Sequence, residues 1–409
     1  MGISERRLLL ATLDRQLLLQ RASLDVPTAV RRLCALQAQA PASPYLALWT
    51  RLQDFTPEDL DAAFADGRLV KATLMRITLH AVHADDYAAF HAAMASSLRA
   101  VRLHDRRYAA TGAAPEDADR LLPELARFLS RPRTGAEVEQ QLADRFGEHA
   151  HRIWWALRTY APIRHSPTGG PWSFRQPHTY RAIADTGLAE SAESAESAES
   201  AESAESAESA ENTEPADTGT RRLLLSYLRA FGPATLGDFA RFTLLGRAAA
   251  TRALDALGDQ VVQIPGPGAR RGPAPLYDLA GAGLPDESVP VPPRLLPMWD
   301  STLLAHAVPG RILPARYRPL VARRNGDMLP CLLVDGQVAG VWRAVDAGVE
   351  LTSFHRLDGR TWQGLTEEAA GLAAFLAARD PDVYRRHHHW WHKGFSDVAL
   401  TTETRTVTP

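Results

Sequence analysis

Residues 220–264 read "TRRLLLSYLRAFGPATLGDFARFTLLGRAAATRALDALGDQVVQI". The leucines of "RRLLLSYL" recur at helical spacing and give an opening helix. Thr235 followed three residues on by Asp238 is a helix-start signal: hydroxyl and carboxylate satisfy backbone N–H groups that the first turn leaves free. "RAAATRALDAL" (247–257) is another helix, and "VVQIPGPGARRGPAPLYDLA" (261–280) reads as a hairpin. Helix, helix–turn–helix, then hairpin is the winged-helix order. In such a unit the second helix of the pair commonly enters a major groove and the hairpin touches backbone or minor groove.

The same order recurs upstream. From Pro115 to Ile183, Thr134 and Glu137 form a capping box, "HRIWWALRTY" (151–160) is a helix, and "APIRHSPTGGPWSFRQP" (161–177) is a hairpin with Gly169-Gly170 at its turn. Nearer the start, Thr56 caps a helix opened by Pro57, Glu58 and Asp59, and "LVKATLMRITLHAVH" (69–83) supplies strands. The openings echo each other, "RRLLLATL" at 6–13 and "RRLLLSYL" at 221–228. Residues 290–365 instead alternate in strand fashion around turns such as Asp335-Gly336, which predicts a small β-barrel or curled sheet. A helix at 366–379 and a tail containing "RRHHHWWHKG" follow. The expected class is α+β: three tandem winged-helix modules and a small C-terminal β-barrel. The expected boundaries are 1–110, 111–188, an acidic low-complexity insert at 189–219, 220–285, 286–395 for barrel and C-terminal helix, and a tail at 396–409.

Composition agrees with a globular chain of 409 residues, 45% hydrophobic and 23% charged, too long for one core. There is no long uncharged apolar run, and the opening "MGISERRLLLATLDRQLLLQ" reads as a helix, not a signal peptide. Two cysteines, Cys34 and Cys331, make no disulfide framework and point to a cytoplasmic setting. CxxC, HExxH, GxSxG and P-loop patterns are absent. The formal charge of −2 hides a contrast. Residues 189–214, "AESAESAESAESAESAESAESAENTE", hold nine glutamates; without them 46 basic face 39 acidic side chains, a net of +7. Lys71 and Lys393 are the only lysines, so the excess is arginine, whose planar fork suits phosphate. The tract has no apolar face and reads as a solvated insert.

Residues 33–44, "LCALQAQAPASP", carry two glutamines, Gln37 and Gln39, before Pro41. "LCALQAQAP" following "DVPTAVRR", then "LVKATLMRITLHAV", and later "LLPMWDSTLLAH…GRILP" with "VDGQVAGVWR", resemble the AlkZ-like winged-helix DNA glycosylases of the YcaQ superfamily. The resemblance covers nearly the whole chain except the acidic insert and the tail. It implies three winged helices and a β-barrel set in a C around DNA, and excision of bulky N-alkylated purines or unhooking of interstrand crosslinks. The family signature is glutamine, one apolar residue, then glutamine or aspartate; Gln37-Ala38-Gln39 matches the first form.

Physical chemistry supplies the rest. Pro41 disfavours helix at Ala40, so the helix is expected to end near Gln37, with a turn bringing both amides towards one point. Neither amide accepts a proton at neutral pH, which excludes general-base catalysis. Each can orient a water through its carbonyl and brace it with its NH₂. That suffices for a purine already cationic at N7 or N3, whose glycosidic bond breaks through an oxocarbenium-like state without acid help. The plain alternative is a pair that only satisfies local backbone groups. Arg76 and His80 on the first wing share a strand face by their even offset and are candidate DNA contacts. So are Arg270 and Arg271 in the third wing, and Arg311 with His306 nearby. His387, His388, His389 and His392 cannot all face one ion, so no metal and no cofactor is expected. The expected protein is a cytoplasmic, monomeric, metal-independent monofunctional glycosylase acting on alkylated duplex DNA, in repair or in self-resistance to DNA-alkylating natural products. The rivals are a non-catalytic winged-helix regulator and a protein-binding scaffold.

Overall fold

The computed structural model describes residues 3–183, 213–267, 275–306, 310–395 and 401–409. The Ala-Glu-Ser repeats, Arg270 and Arg271 lie outside the described residues. Within them, no helix is long and apolar enough to cross a membrane. Both cysteines are buried and unpaired.

Thirteen described strands form three antiparallel sheets. Strands β1 (Leu36–Gln37), β2 (Leu69–Thr73), β3 (Leu79–His83), β4 (Arg133–Thr134), β5 (Ile163–Ser166) and β6 (Thr179–Ala182) make one sheet in the order β1-β3-β2-β5-β6-β4. The β2–β3 hairpin and the β5–β6 hairpin are joined there by a single register pair, Lys71 opposite His165. Lys71 is 2% exposed, with Nζ 4.1 Å from the centroid of Phe174. Strands β7 (Val261–Ile264) and β8 (Leu276–Leu279) pair as the hairpin expected there.

The C-terminal strands depart from expectation. β9 (Arg294–Leu296), β10 (Cys331–Val334), β11 (Gln337–Val345), β12 (Gly348–Ser353) and β13 (Glu403–Val407) lie in the order β13-β12-β11-β10-β9. This is an open sheet; among the described residues no pairing closes it into a barrel. β13 comes from the stretch expected to be a tail, and the β-branched Thr404, Thr406 and Val407 suit an edge strand. The following-helix expectation was also short. The helix spans Gly359–Arg379, because Asp358 caps it through the Thr361 N–H at 2.8 Å.

The helical expectations for the two hairpin-bearing segments hold locally. Thr134–Glu137 and Thr235–Asp238 form reciprocal capping boxes at the helices Gly135–Phe146 and Leu236–Thr243. Helices Ala150–Tyr160 and Arg247–Leu257 then lead into β5 and β7. The long helices Ala84–Leu103 and Thr213–Phe231 cross closely at Gly219, where an added Cβ would lie 2.2 Å from the Ala89 carbonyl oxygen. One apolar core runs through these helices and the six-stranded sheet, with the β7–β8 hairpin packed against it. A second joins the N-terminal segment to the C-terminal sheet, holding Trp342 and Trp362 at 1% exposure. Two buried ion pairs tie distant segments: Arg15 to Asp278 and Arg51 to Asp300.

Candidate active site

The helix before the glutamine pair, Val26–Arg32, ends five residues earlier than expected. Leu33 caps it and Cys34 turns the chain at φ 69°, a left-handed position with no glycine or asparagine to announce it. The chain then enters β1, so Gln37 sits in extended backbone. β1 pairs with β3 through Leu36–Ala81 and Gln37–His80, and the Ala38 N–H donates to the Leu79 carbonyl at 2.7 Å. Opposed residues of an antiparallel pair share a face, so Gln37, His80 and Ala72 of β2 project together.

Gln37 is buried and Gln39 exposed. The Gln37 Oε1 accepts the Gln39 backbone N–H at 3.0 Å. The Gln39 Oε1 accepts the Leu79 N–H at 3.4 Å. Both carbonyls are thus aimed by backbone donors, with a second lone pair left on each. Neither NH₂ group has a protein hydrogen-bond partner among the described residues. Behind Gln37 lies a cavity of about one water's size, bounded by Gln16, Gln37, Ser43, Arg51, Asp300 and Ser301.

That cavity's floor is a polar network that no local sequence pattern announces. Arg51 donates through Nη1 and Nη2 to the two Asp300 oxygens, 2.9 Å each, and to Thr302 Oγ1 at 2.9 Å. Thr302 in turn donates to the Gln16 Oε1 at 3.2 Å. Asp300 lies inside "MWDSTLLAH", but its partner is 249 residues away, beyond any local pattern.

The structure brings Arg76 and His80 together, though not on one strand face. Arg76 stands in the turn between β2 and β3 at φ 54° and folds back, Nη2 lying 3.3 Å from His80 Nε2. Its Nη1 donates to the Phe242 carbonyl at 2.9 Å, with the guanidinium 4.7 Å from the Phe242 ring centroid. Burial lowers its pKa to about 10, so it stays charged at neutral pH. His80 is fully buried, and burial with the Arg76 charge beside it pushes its pKa down to about 3. Its Nδ1 lies 3.0 Å from the Thr78 carbonyl, which only accepts, so Nδ1 carries the proton and Nε2 faces Arg76. His80 is therefore a neutral, fixed ring with no acid–base role near pH 7.

Arg311 and His306 also meet, directed inward. Arg311 Nη1 donates to the Pro233 carbonyl at 3.0 Å and to Thr12 Oγ1 at 3.3 Å, and lies against His306 Nε2. Burial and that guanidinium lower the His306 pKa to about 3. Among the four tail histidines, His387 is buried against Asp327 at 3.4 Å. No group of three or more His, Cys, Asp or Glu that could hold a metal ion occurs among the described residues.

A family model described as DNA glycosylase AlkZ-like matches residues 30–375. The interstrand DNA cross-link repair glycosylase of Streptomyces sahachiroi is 24% identical over 379 residues, covering 91% of this chain and 96% of that protein. The solved structure of Streptomyces sahachiroi DNA glycosylase AlkZ matches the fold with a TM-score of 0.73 at 23% identity. The match covers 92% of this chain and 98% of that one.

Proposed function

This chain belongs to the AlkZ-like DNA glycosylase family, and we propose that it hydrolyses the N-glycosidic bond of bulky N-alkylated purines in duplex DNA, with Gln37 and Gln39 as the catalytic pair. Its three helix–hairpin segments act as winged helices along the duplex. The relative named for interstrand cross-link repair supports extending the substrate range to crosslinked purines. The observation that carries the reading is the aim of the two amides. Backbone N–H groups of Gln39 and Leu79 hold both carbonyls on one strand edge and leave both NH₂ groups uncommitted.

An alkylated N7 makes the purine cationic. The C1′–N9 bond breaks with its electron pair leaving on the base, which becomes neutral, and positive charge builds at C1′. The two carbonyl dipoles stabilise that charge and position a water, whose oxygen bonds to C1′ while its proton passes to solvent. Neutral His80, fixed by Thr78 and Arg76, packs opposite Gln37 and keeps the site's geometry. The scheme uses no bound ion. An excision assay on N7-alkylguanine duplex, with and without exhaustive chelation, tests it: base release in both is expected, and zinc-dependent release contradicts it.

A further inference from the structure

Leu244 is the C-cap of the helix Leu236–Thr243 and has φ 66°. A left-handed cap normally takes glycine, because the Cβ of any other residue crowds the following carbonyl. Leu244 is also 51% exposed, the most open of the large apolar side chains among the described residues. A strained backbone with an exposed leucine serves neither packing nor folding, and such outliers concentrate at functional positions.

The turn presents this side chain rigidly. The Leu244 N–H bonds the Ala240 carbonyl at 2.8 Å, Thr243 Oγ1 bonds Phe239 O at 2.8 Å, and the Leu245 N–H bonds Thr243 Oγ1 at 3.1 Å. Thr243 and Leu245 are buried on either side, so only Leu244 points outward. A Cβ added at Gly246 would meet nothing within 4 Å, which marks open space in front of the turn. Arg241 and Arg247 flank it, both exposed. The guanidinium of Arg318 lies close enough to that of Arg241 for their charges to oppose each other. The turn is anchored to the glutamine pair: Phe242, two residues before Leu244, accepts from Arg76, which meets His80, the cross-strand partner of Gln37.

We infer that Leu244 is an apolar wedge that enters the duplex at the base step beside the purine facing Gln37 and Gln39, while Arg241 and Arg318 hold the adjoining phosphate. This rests on the glycosylase reading for the identity of that purine. Apolar side chains inserted at a base step unstack it, and paired guanidiniums on the flanking phosphate offset the cost. Leu244 acts through the position of the lesion and does not touch the breaking bond.

The test uses the full chain and a duplex bearing one N7-methylguanine on a 2′-fluoro sugar, which blocks cleavage, next to a fluorescent 2-aminopurine. Wild-type binding should raise the fluorescence several-fold by unstacking the reporter. Leu244→Gly, which relieves the left-handed strain and so melts no lower than wild type, should lose most of that rise and bind roughly tenfold more weakly. Leu244→Met should retain it, and Arg241→Ala should lower the salt slope of binding by about one. A full fluorescence rise with Leu244→Gly, or none with wild type, overturns the wedge. Excision of the unblocked lesion is read separately: a wild-type rise without excision defeats the glycosylase reading and leaves the wedge standing. Equal excision by wild type and Leu244→Gly with no loss of signal does the reverse.

Discussion

Replacing Asp300 by alanine removes the one carboxylate that the buried Arg51 guanidinium engages with both Nη atoms. Both side chains are 1% exposed, so the cation left behind cannot recover its hydration. Breaking such a pair costs about 3–5 kcal/mol. The lower end is expected here, because Arg51 keeps its bonds to the Ala47 carbonyl and Thr302 Oγ1. Asp300→Asn preserves shape and should cost about 1.5–3 kcal/mol. The paired replacement Arg51→Met with Asp300→Leu should recover most of the loss, since apolar groups of similar size are often neutral or better at buried pairs. Urea denaturation followed by circular dichroism and tryptophan fluorescence measures all four proteins. Because Arg51 and Asp300 also bound the cavity behind Gln37, Asp300→Asn should slow excision about tenfold under conditions where it remains folded. A loss below about 1 kcal/mol for Asp300→Ala, or a double variant worse than both singles, refutes this reasoning.

Burial depresses the Lys71 pKa from 10.5 to about 7, and the neighbouring His165 and His178 are likewise held neutral, chiefly by burial. The unfolded lysine keeps its proton up to about pH 10.5 and the folded one sheds it above about 7, so wild-type stability falls as pH drops across that window and levels off below it. Lys71→Met should therefore stabilise the protein by on the order of 3–4 kcal/mol near pH 7, the gain vanishing towards pH 10.5; equal pH profiles for the two contradict it. Deleting 189–214 removes nine glutamates, and if the tract screens the basic surface, non-specific DNA binding should tighten at low salt with a steeper salt dependence. Unchanged affinity and slope leave the tract a spacer.

Local signals carried much of the fold. Thr134–Glu137 and Thr235–Asp238 marked helix starts because capping is a three-residue pattern, and the structure has both boxes. The hairpin β7–β8 followed from short apolar runs between turn residues, whereas β5 has its partner β6 at Thr179–Ala182, past the 161–177 stretch expected to hold both strands. What escaped was set elsewhere in the chain. The left-handed turn at Cys34 stops a helix without glycine, so Pro41 drew the stop five residues too late. The open edge at β9 and the added strand β13 depend on long-range pairing, although the β-branched residues of 403–407 were a usable sign. Gln37 and Gln39 were recognised as a pair, but their unequal burial arises from strand pairing with β3. By sequence Arg76 and Arg311 are candidate DNA contacts. Both turn inward because backbone carbonyls of Phe242 and Pro233 satisfy their guanidiniums, a partnership separated by 166 and 78 residues.

The central claim is that Gln37 and Gln39 together position one water against C1′ of a cationic purine nucleotide. Single-turnover excision of N7-methylguanine by the alanine variants tests it most directly. Each single variant should slow excision by roughly ten- to thousandfold while duplex affinity stays nearly constant, because phosphate contacts elsewhere carry the binding. The double variant should cost less than the product of the singles, since both side chains serve one water. Gln39→Asp should retain activity, its carboxylate also stabilising positive charge. Alanine variants that melt normally and excise at the wild-type rate would contradict the account and leave a DNA-binding protein with a structural glutamine pair.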